Sequence, residues 1–109
     1  MDQDKLNKIL ELHKRWVDGD FIEGERANLE GVDLRRINLS GVDLRGANLF
    51  SADLTSADLR GANLTSAELD GANFGYANLT GTNLKNTNLT GVDLRKAKLA
   101  NDPLTEEEK

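Results

Sequence analysis

The fold is decided by a five-residue unit that first fills residues 27–46, which read ANLEG-VDLRR-INLSG-VDLRG. The unit continues to residue 101, and its middle position is Leu or Phe fifteen times in succession. Ala, Val, Ile or Thr lies two positions before each centre, and the residue between is Asn or Asp except at Glu68 and Lys98. The centres are Leu29, Leu34, Leu39, Leu44, Leu49, Leu54, Leu59, Leu64, Leu69, Phe74, Leu79, Leu84, Leu89, Leu94 and Leu99. Tandem repetition of this kind indicates a repeat architecture in which each unit packs on its neighbours.

A period of five fits neither a helix nor a plain strand. Residues five apart wind around every face of a helix, and they lie on opposite faces of a strand. The unit therefore combines a short extended piece with a turn. In the extended piece the small residue and the centre share the inner side, while the Asn or Asp between them faces outward. The last two residues form a corner, where Gly tolerates the backbone angles of a tight turn.

This unit resembles the signature of the pentapeptide-repeat family, which is A-(D/N)-L-x-x in tandem. The resemblance covers the fifteen units of residues 27–101. It implies an all-β solenoid, a right-handed quadrilateral parallel β-helix with one unit on each side. The period alone predicts a coil and leaves the number of sides open; four sides come from the resemblance. Fifteen units then make just under four coils, with a core of roughly 18 Å at the spacing of paired strands.

The repeat centres predict the core. We expect Leu29, Leu49, Leu64 and Leu69 to fill the inside of the coil. Phe74 replaces Leu at one centre, and we interpret it as a ring stacked in the same core rather than as part of a ligand pocket.

The N-terminal segment predicts a cap. Residues 3–18 have the apolar spacing of an amphipathic helix. A stacked solenoid has an open end with unpaired strand and exposed core, so it requires a terminal cap. We therefore assign residues 1–26 to a helical cap and its connector, with Trp16 and Leu10 covering the first coil. The predicted cap residues are Leu6, Leu10, His13 and Trp16. His13 lies within the apolar face without a catalytic partner motif, which favours a packed side chain over a general base.

The C-terminal end is predicted to be less protected. Leu104 keeps the five-residue phase and suggests one partial further rung, while Pro103 cannot donate to a strand ladder and suits an edge. We expect the charged tail of residues 102–109 to fray. Its like charges oppose end-to-end pairing, so we expect a monomer in dilute solution, with a weak end-to-end dimer when the protein is crowded.

Composition excludes several classes of function. The chain has no cysteine, which removes disulfide scaffolds and thiol catalysis. Its many Asp residues recur at the outward repeat position and match no calcium loop, and no Gly-rich phosphate loop precedes a helix. We therefore predict that the protein is not an enzyme and has no metal or cofactor. The start, MDQDK, lacks the basic and apolar parts of a signal peptide and no segment is apolar enough to span a membrane, so we expect a cytoplasmic protein.

Charge is distributed unevenly along the chain. Residues 1–26 carry seven acids and five bases, residues 27–101 eight of each, and residues 102–109 four acids and one base, which accounts for the net charge of −5. This acidity argues against direct nucleic-acid binding. Some pentapeptide-repeat proteins mimic DNA and bind type II topoisomerases such as gyrase, and that function is the alternative. The neutral repeat body and its length of under four coils make it the second choice.

One wall stands out if the coil has four sides. The wall built on Leu29, Leu49, Leu69 and Leu89 carries three acids and no base, for a net charge of −3, and each of the other three walls has a net charge of +1. An exposed aromatic on a rigid surface is a candidate anchor for a partner; the alternative is that a lone exposed Phe is an ordinary feature of a protein surface. The candidate surface comprises Glu30, Phe50, Glu68 and Asp70 on this wall and Tyr76 on the neighbouring one. The sequence thus predicts a non-enzymatic rigid scaffold or protein–protein interaction module with an unknown protein partner.

Overall fold

The computed structural model describes residues 1–19 and 21–99. Within these ranges the chain forms one helix, α1, over Gln3–Asp18, followed by a coil that is held together by parallel β-bridges. The bounds of α1 are those that the apolar spacing predicts. Each strand of the coil is a single bridged residue, so the sheet on every side is built from short rungs.

The bridges fix the number of sides at four. Among the described residues, eleven parallel bridges join residues that are twenty positions apart, from Asn28 with Asn48 to Asn78 with Lys98. Twenty residues are four repeat units, so one unit occupies each side and the quadrilateral coil is confirmed. The backbone pairs on both sides of a bridge: the N–H of Leu29 donates to the carbonyl of Asn48 at 2.8 Å, and the N–H of Asn48 donates to the carbonyl of Ala27 at 3.0 Å.

Each corner is a tight turn with one left-handed residue. At the first corner the N–H of Val32 donates to the carbonyl of Leu29 at 3.1 Å, and Gly31 between them has a φ of 66°. A positive φ at the third residue is the mark of a type II turn. The turn recurs every five residues, and each one carries the chain around a corner from one side of the square to the next.

The inside of the coil is filled by the repeat centres. Leu29, Leu49, Leu64, Leu69 and Phe74 are all buried, and the small residues two positions before the middle centres pack beside them. The last described coil is less enclosed than the others. Leu89 and Leu99 are exposed, because no further coil covers them within the described residues. The predicted partial rung at Pro103 and Leu104 and the predicted tail of 102–109 lie outside those residues.

Helix α1 closes the other end of the coil. Asp2 caps its N-terminus, where the side chain accepts a hydrogen bond from the N–H of Lys5. Leu6 and His13 are buried against the first coil, and Leu10 is partly buried there. Trp16 was expected to cover the coil with Leu10, but it is only partly buried and lies at the rim beside the corner at Gly46. The closure is therefore made chiefly by Leu6 and His13.

The connector between α1 and the coil requires a glycine at one point. Gly24 has a φ of 75°, and a Cβ atom there would lie 2.2 Å from the carbonyl oxygen of Leu12 and 2.8 Å from the backbone nitrogen of Trp16. The next residue, Glu25, donates its N–H to that same carbonyl of Leu12 at 3.1 Å. The connector therefore packs closely against the side of α1, and it leads directly into the first rung of the coil.

Candidate interaction surfaces

The four sides of the coil are named walls 1 to 4 in chain order. Wall 1 comprises residues 27–31, 47–51, 67–71 and 87–91, and wall 2 comprises 32–36, 52–56, 72–76 and 92–96. Wall 3 comprises residues 37–41, 57–61, 77–81 and 97–99, and wall 4 comprises 42–46, 62–66 and 82–86. Because the units stack in register, equivalent positions form columns, with successive members about 4.8 Å apart.

The outward Asn and Asp side chains fix the backbone of every wall. The Oδ1 atom of Asn28 accepts a hydrogen bond from the N–H of Glu30, two residues later. The same bond recurs through the coil, for example at Asn48 with Phe50 and at Asn73 with Gly75. The repeat pattern predicts that these side chains face outward, and this bond, which the pattern does not reveal, explains why Asn and Asp dominate the position. Residues on the walls are therefore held by both rungs and side chains.

Four arginines on walls 2 to 4 follow an Asp by two residues, and each of them is paired with that Asp. Arg95 contacts Asp93 through Nε and Nη2, at 3.1 and 2.7 Å, and this bonding lowers the pKa of Asp93 to about 2. The pKa values of the carboxyl groups in the other pairs are lowered for the same reason. These pairs are Asp33 with Arg35, Asp43 with Arg45, and Asp58 with Arg60. Much of the charge on these walls is thus locally compensated.

Wall 1 carries an aromatic side chain between two carboxylates. Glu30, Phe50 and Asp70 occupy the same column in successive coils. Phe50 is 43% exposed. The backbone around it is fixed, because its carbonyl accepts the N–H of Gly31 at 2.8 Å and its own N–H donates to Asn48. The structure thus brings three of the predicted surface residues into one column.

The fourth predicted residue of wall 1, Glu68, is engaged from outside the wall. Its Oε1 atom lies 2.5 Å from Nη2 of Arg26, which belongs to the connector and also donates from Nε to the carbonyl of Gly46. The sequence of wall 1 contains no base, but the fold brings Arg26 onto it. The carboxylates of Glu30 and Asp70 therefore carry the remaining acidity of wall 1.

Tyr76 belongs to a different surface. It lies on wall 2, is 67% exposed and has a left-handed backbone with a φ of 60°. Beside it is an open groove of about 620 Å³, with Gly75 at the floor and Thr55 and Arg95 along the same column. The repeat pattern indicates an exposed Tyr76 but does not reveal the groove. The signal was present in the sequence, because Gly75 is the one glycine at the fourth position of the fifteen units.

His13 has a structural role at the cap. Its side chain is fully buried, Nδ1 accepts the N–H of Ala27 at 2.8 Å, and Nε2 lies 2.9 Å from the carbonyl oxygen of Arg45. This arrangement requires a neutral ring with its proton on Nε2. Burial is the main cause that lowers the pKa of His13. The one histidine of the chain thus joins α1 to the start of the coil and to wall 4.

Residues 1–19 and 21–99 contain neither a metal site nor a membrane span. No group of three or more His, Cys, Asp or Glu residues there has the geometry to hold a metal ion. In the same part of the chain, no helix is long and apolar enough to cross a membrane.

The four-sided coil of parallel rungs with buried Leu centres defines a class, the right-handed quadrilateral β-helix. The family model for pentapeptide repeats in eight copies matches residues 27–65 and 67–101. The chain therefore belongs to the pentapeptide-repeat family, whose members are generally not catalytic. A comparison with curated proteins gives no significant match.

Solved structures of the family are similar to this chain. A pentapeptide repeat protein from the cyanobacterium Cyanothece, Rfr23, is 39% identical with a TM-score of 0.55, and the match covers 67% of this chain and 57% of that one. HetL of Nostoc, involved in heterocyst differentiation regulation, is 28% identical with a TM-score of 0.43 over 70% of this chain and 41% of its own. A thylakoid-lumen protein of Arabidopsis thaliana is 32% identical with a TM-score of 0.38 over 74% and 67%. The chain thus spans little more than half the length of the Cyanothece protein.

Proposed function

We propose that this chain is a non-enzymatic, rigid interaction module that binds a protein partner through wall 1. The observation that supports this proposal is the column of Glu30, Phe50 and Asp70, in which an exposed ring lies between two carboxylates on a fixed backbone. Aromatic side chains in the centre of an interface are frequent sources of binding energy. The flanking carboxylates suit a partner with an apolar cleft between basic residues.

Rigidity favours binding at this wall. Partner binding costs free energy when loops and side chains must be ordered. Here the carbonyl of Phe50 accepts the N–H of Gly31, and the N–H of Ser51 donates to the carbonyl of Asp70 at 2.9 Å. The backbone on either side of the ring is therefore already ordered, so less of the contact energy is lost on association.

The test is affinity capture with the full chain, followed by binding kinetics on the captured protein. Phe50→Ala should weaken the complex more than fivefold, chiefly through faster dissociation, which corresponds to more than about 1 kcal/mol. Glu30→Lys should mainly change the association rate, because rim charges steer the encounter. Arg60→Ala on wall 3 is the matched control. A partner whose binding is unchanged by Phe50→Ala would remove wall 1 as the site.

The alternative function, mimicry of DNA toward gyrase, makes a different prediction. A DNA mimic presents a long acidic surface to a basic groove, and its binding weakens steeply with salt. Wall 1 has a short acidic column that is interrupted by Phe50, and Arg26 compensates Glu68. We therefore expect no inhibition of gyrase supercoiling at micromolar protein. Potent inhibition would make the alternative the better account.

Two further expectations belong to this proposal. We propose a monomer in dilute solution, which light scattering at micromolar concentration tests, and a stable dimer would contradict it. We also propose a cytoplasmic location, which fractionation of the native cells tests.

A further inference from the structure

The corner residues of successive coils stack into four edges, each between two neighbouring walls, and one of these edges differs from the other three. The corners on the other three edges carry Gly, Ser or Asn; these residues are Gly31, Gly41, Gly46, Ser51, Gly61, Ser66, Gly71, Gly81, Asn86 and Gly91. On the edge between walls 2 and 3, the corner residues are Arg36, Ser56, Tyr76 and Lys96, with φ values between 60° and 62°. Large side chains rarely adopt this left-handed conformation, because Cβ crowds the following carbonyl. Strain of this kind is concentrated at functional positions.

The groove lies directly beside this edge. Gly75 is buried at its floor, and a Cβ atom there would lie 3.1 Å from Oδ1 of Asn73. Tyr76 and Lys96 line the side of the groove, and Thr55 and Arg95 lie along its column. Gly75 has no side chain, and the open part of the groove beside it, against the exposed ring of Tyr76, is called the recess.

The two ends of the edge are basic. Arg36 and Lys96 are exposed, and no acidic side chain of the described residues lies within 4.0 Å of either. Their neighbours Arg35 and Arg95 are held by Asp33 and Asp93 at 2.8 and 2.7 Å. The unpaired charges of the edge are thus positive and stand on either side of the recess.

We propose that this edge, formed by Arg36, Ser56, Tyr76 and Lys96 with the recess at Gly75, binds an extended acidic segment of a partner protein. Arg36 and Lys96 are three coils apart, which is about 14 Å at the rung spacing. An extended chain covers that distance in about four residues at 3.3–3.4 Å each. The segment therefore has two carboxylates four residues apart and an apolar side chain between them, which enters the recess. This proposal adds a second surface to the interaction module proposed above and rests on that function.

The probe is a library of displayed random heptapeptides, selected on the full chain. We expect the selected peptides to share two acidic residues four positions apart with an apolar or aromatic residue between. Anisotropy of the labelled winning peptide then gives Kd for each variant. Arg36→Ser with Lys96→Ser, which copies Ser56 of the same column, should raise Kd at least tenfold. Lys85→Ser on wall 4 is the matched control and should change it less than twofold.

Two substitutions separate binding from folding. Gly75→Thr copies Thr55 of the same column, where the hydroxyl bonds to Asp53, so it fills the recess without a new backbone strain and should raise Kd at least tenfold. Tyr76→Gly restores the residue that this turn favours. It should raise Kd while the protein melts no lower than the parent, whereas a merely structural tyrosine would lower the melting temperature when removed.

The proposal is overturned if no acidic peptides are selected, or if Kd does not respond to these variants. It is also overturned if a DNA duplex, or a second copy of this chain, binds with the same sensitivity to Arg36→Ser and Lys96→Ser. A captured partner that depends on Phe50 but not on this edge would contradict the second surface and leave the interaction module standing. A partner that depends on neither would contradict both.

Discussion

Replacement of His13 tests how firmly the cap is attached to the coil. The ring accepts the N–H of Ala27 at 2.8 Å and donates to the carbonyl of Arg45 at 2.9 Å, and it is fully buried. His13→Ala leaves both backbone groups without their partner. A buried unsatisfied group costs about 1–3 kcal/mol. The Ala27 N–H is such a group, whereas the carbonyl of Arg45 is only part-buried, so the substitution predicts a loss of at least about 1–3 kcal/mol of unfolding free energy. His13→Gln supplies an amide that can accept and donate, and it should lose less.

The same geometry predicts a dependence of stability on pH. Burial lowers the pKa of His13 below its ordinary value of 6.5; the Arg45 carbonyl and Asp43 oppose this shift, and the charges of Arg26 and Arg45 support it. Below pH 6.5 the unfolded chain binds a proton that the folded protein does not. The contribution of neutral His13 to the free energy of unfolding is therefore complete above pH 6.5. It is lost as the pH falls toward the pKa of His13 in the folded protein, by at most about 1.4 kcal/mol per pH unit.

Urea unfolding between pH 7 and pH 5, followed by the fluorescence of Trp16 and by circular dichroism, measures this loss. His13 is the one histidine of the chain. The pKa values of the Asp residues paired with Arg are lowered from their ordinary value of 3.8, so these groups do not titrate in this range. The wild type should lose stability over the range, and His13→Gln should lose little. Equal slopes for the two proteins would refute the assignment of His13 as the neutral link between α1 and the coil.

Three further predictions concern the coil and its cap. Leu64→Ala should cost about 2–5 kcal/mol in urea unfolding, because Leu64 is fully buried in the middle of the core; a cost no larger than that of Phe50→Ala would contradict this. Deletion of residues 1–20 should cause aggregation or a marked fall in melting temperature, and an unchanged melting temperature would show that α1 is not a cap. Gly24→Ala should lower the stability by more than Gly31→Ala. Both have a positive φ, which costs about 1–2 kcal/mol for a side chain, but only at Gly24 does the new Cβ meet backbone atoms.

The coil could be predicted from the sequence because one period governs it throughout. The spacing of Leu29, Leu34 and the later centres excludes a helix and a plain strand, so only a coil remains. The number of sides could not be derived from that period, and it followed from the family resemblance. The sequence also predicted a less protected C-terminal end, and Leu89 and Leu99 are exposed there.

The candidate site was predictable only in part. Phe50 and its acidic neighbours follow from the columns once four sides are assumed. The contact of Arg26 with Glu68 does not, because it depends on how the connector crosses the first coil. The recess at Gly75 could not be predicted from the sequence alone, because it depends on which residues pack on either side of it. Its glycine is nevertheless a visible exception to the repeat.

The central claim is that wall 1 presents Phe50 between two carboxylates to a protein partner. The most direct test is an NMR titration of the isotope-labelled full chain with the captured partner. We predict that the amide signals of Phe50, Ser51 and Asp70 shift together, while those of Arg60 and Thr80 on wall 3 stay unchanged. Shifts that cluster on wall 3 and leave Phe50 unmoved would contradict the claim.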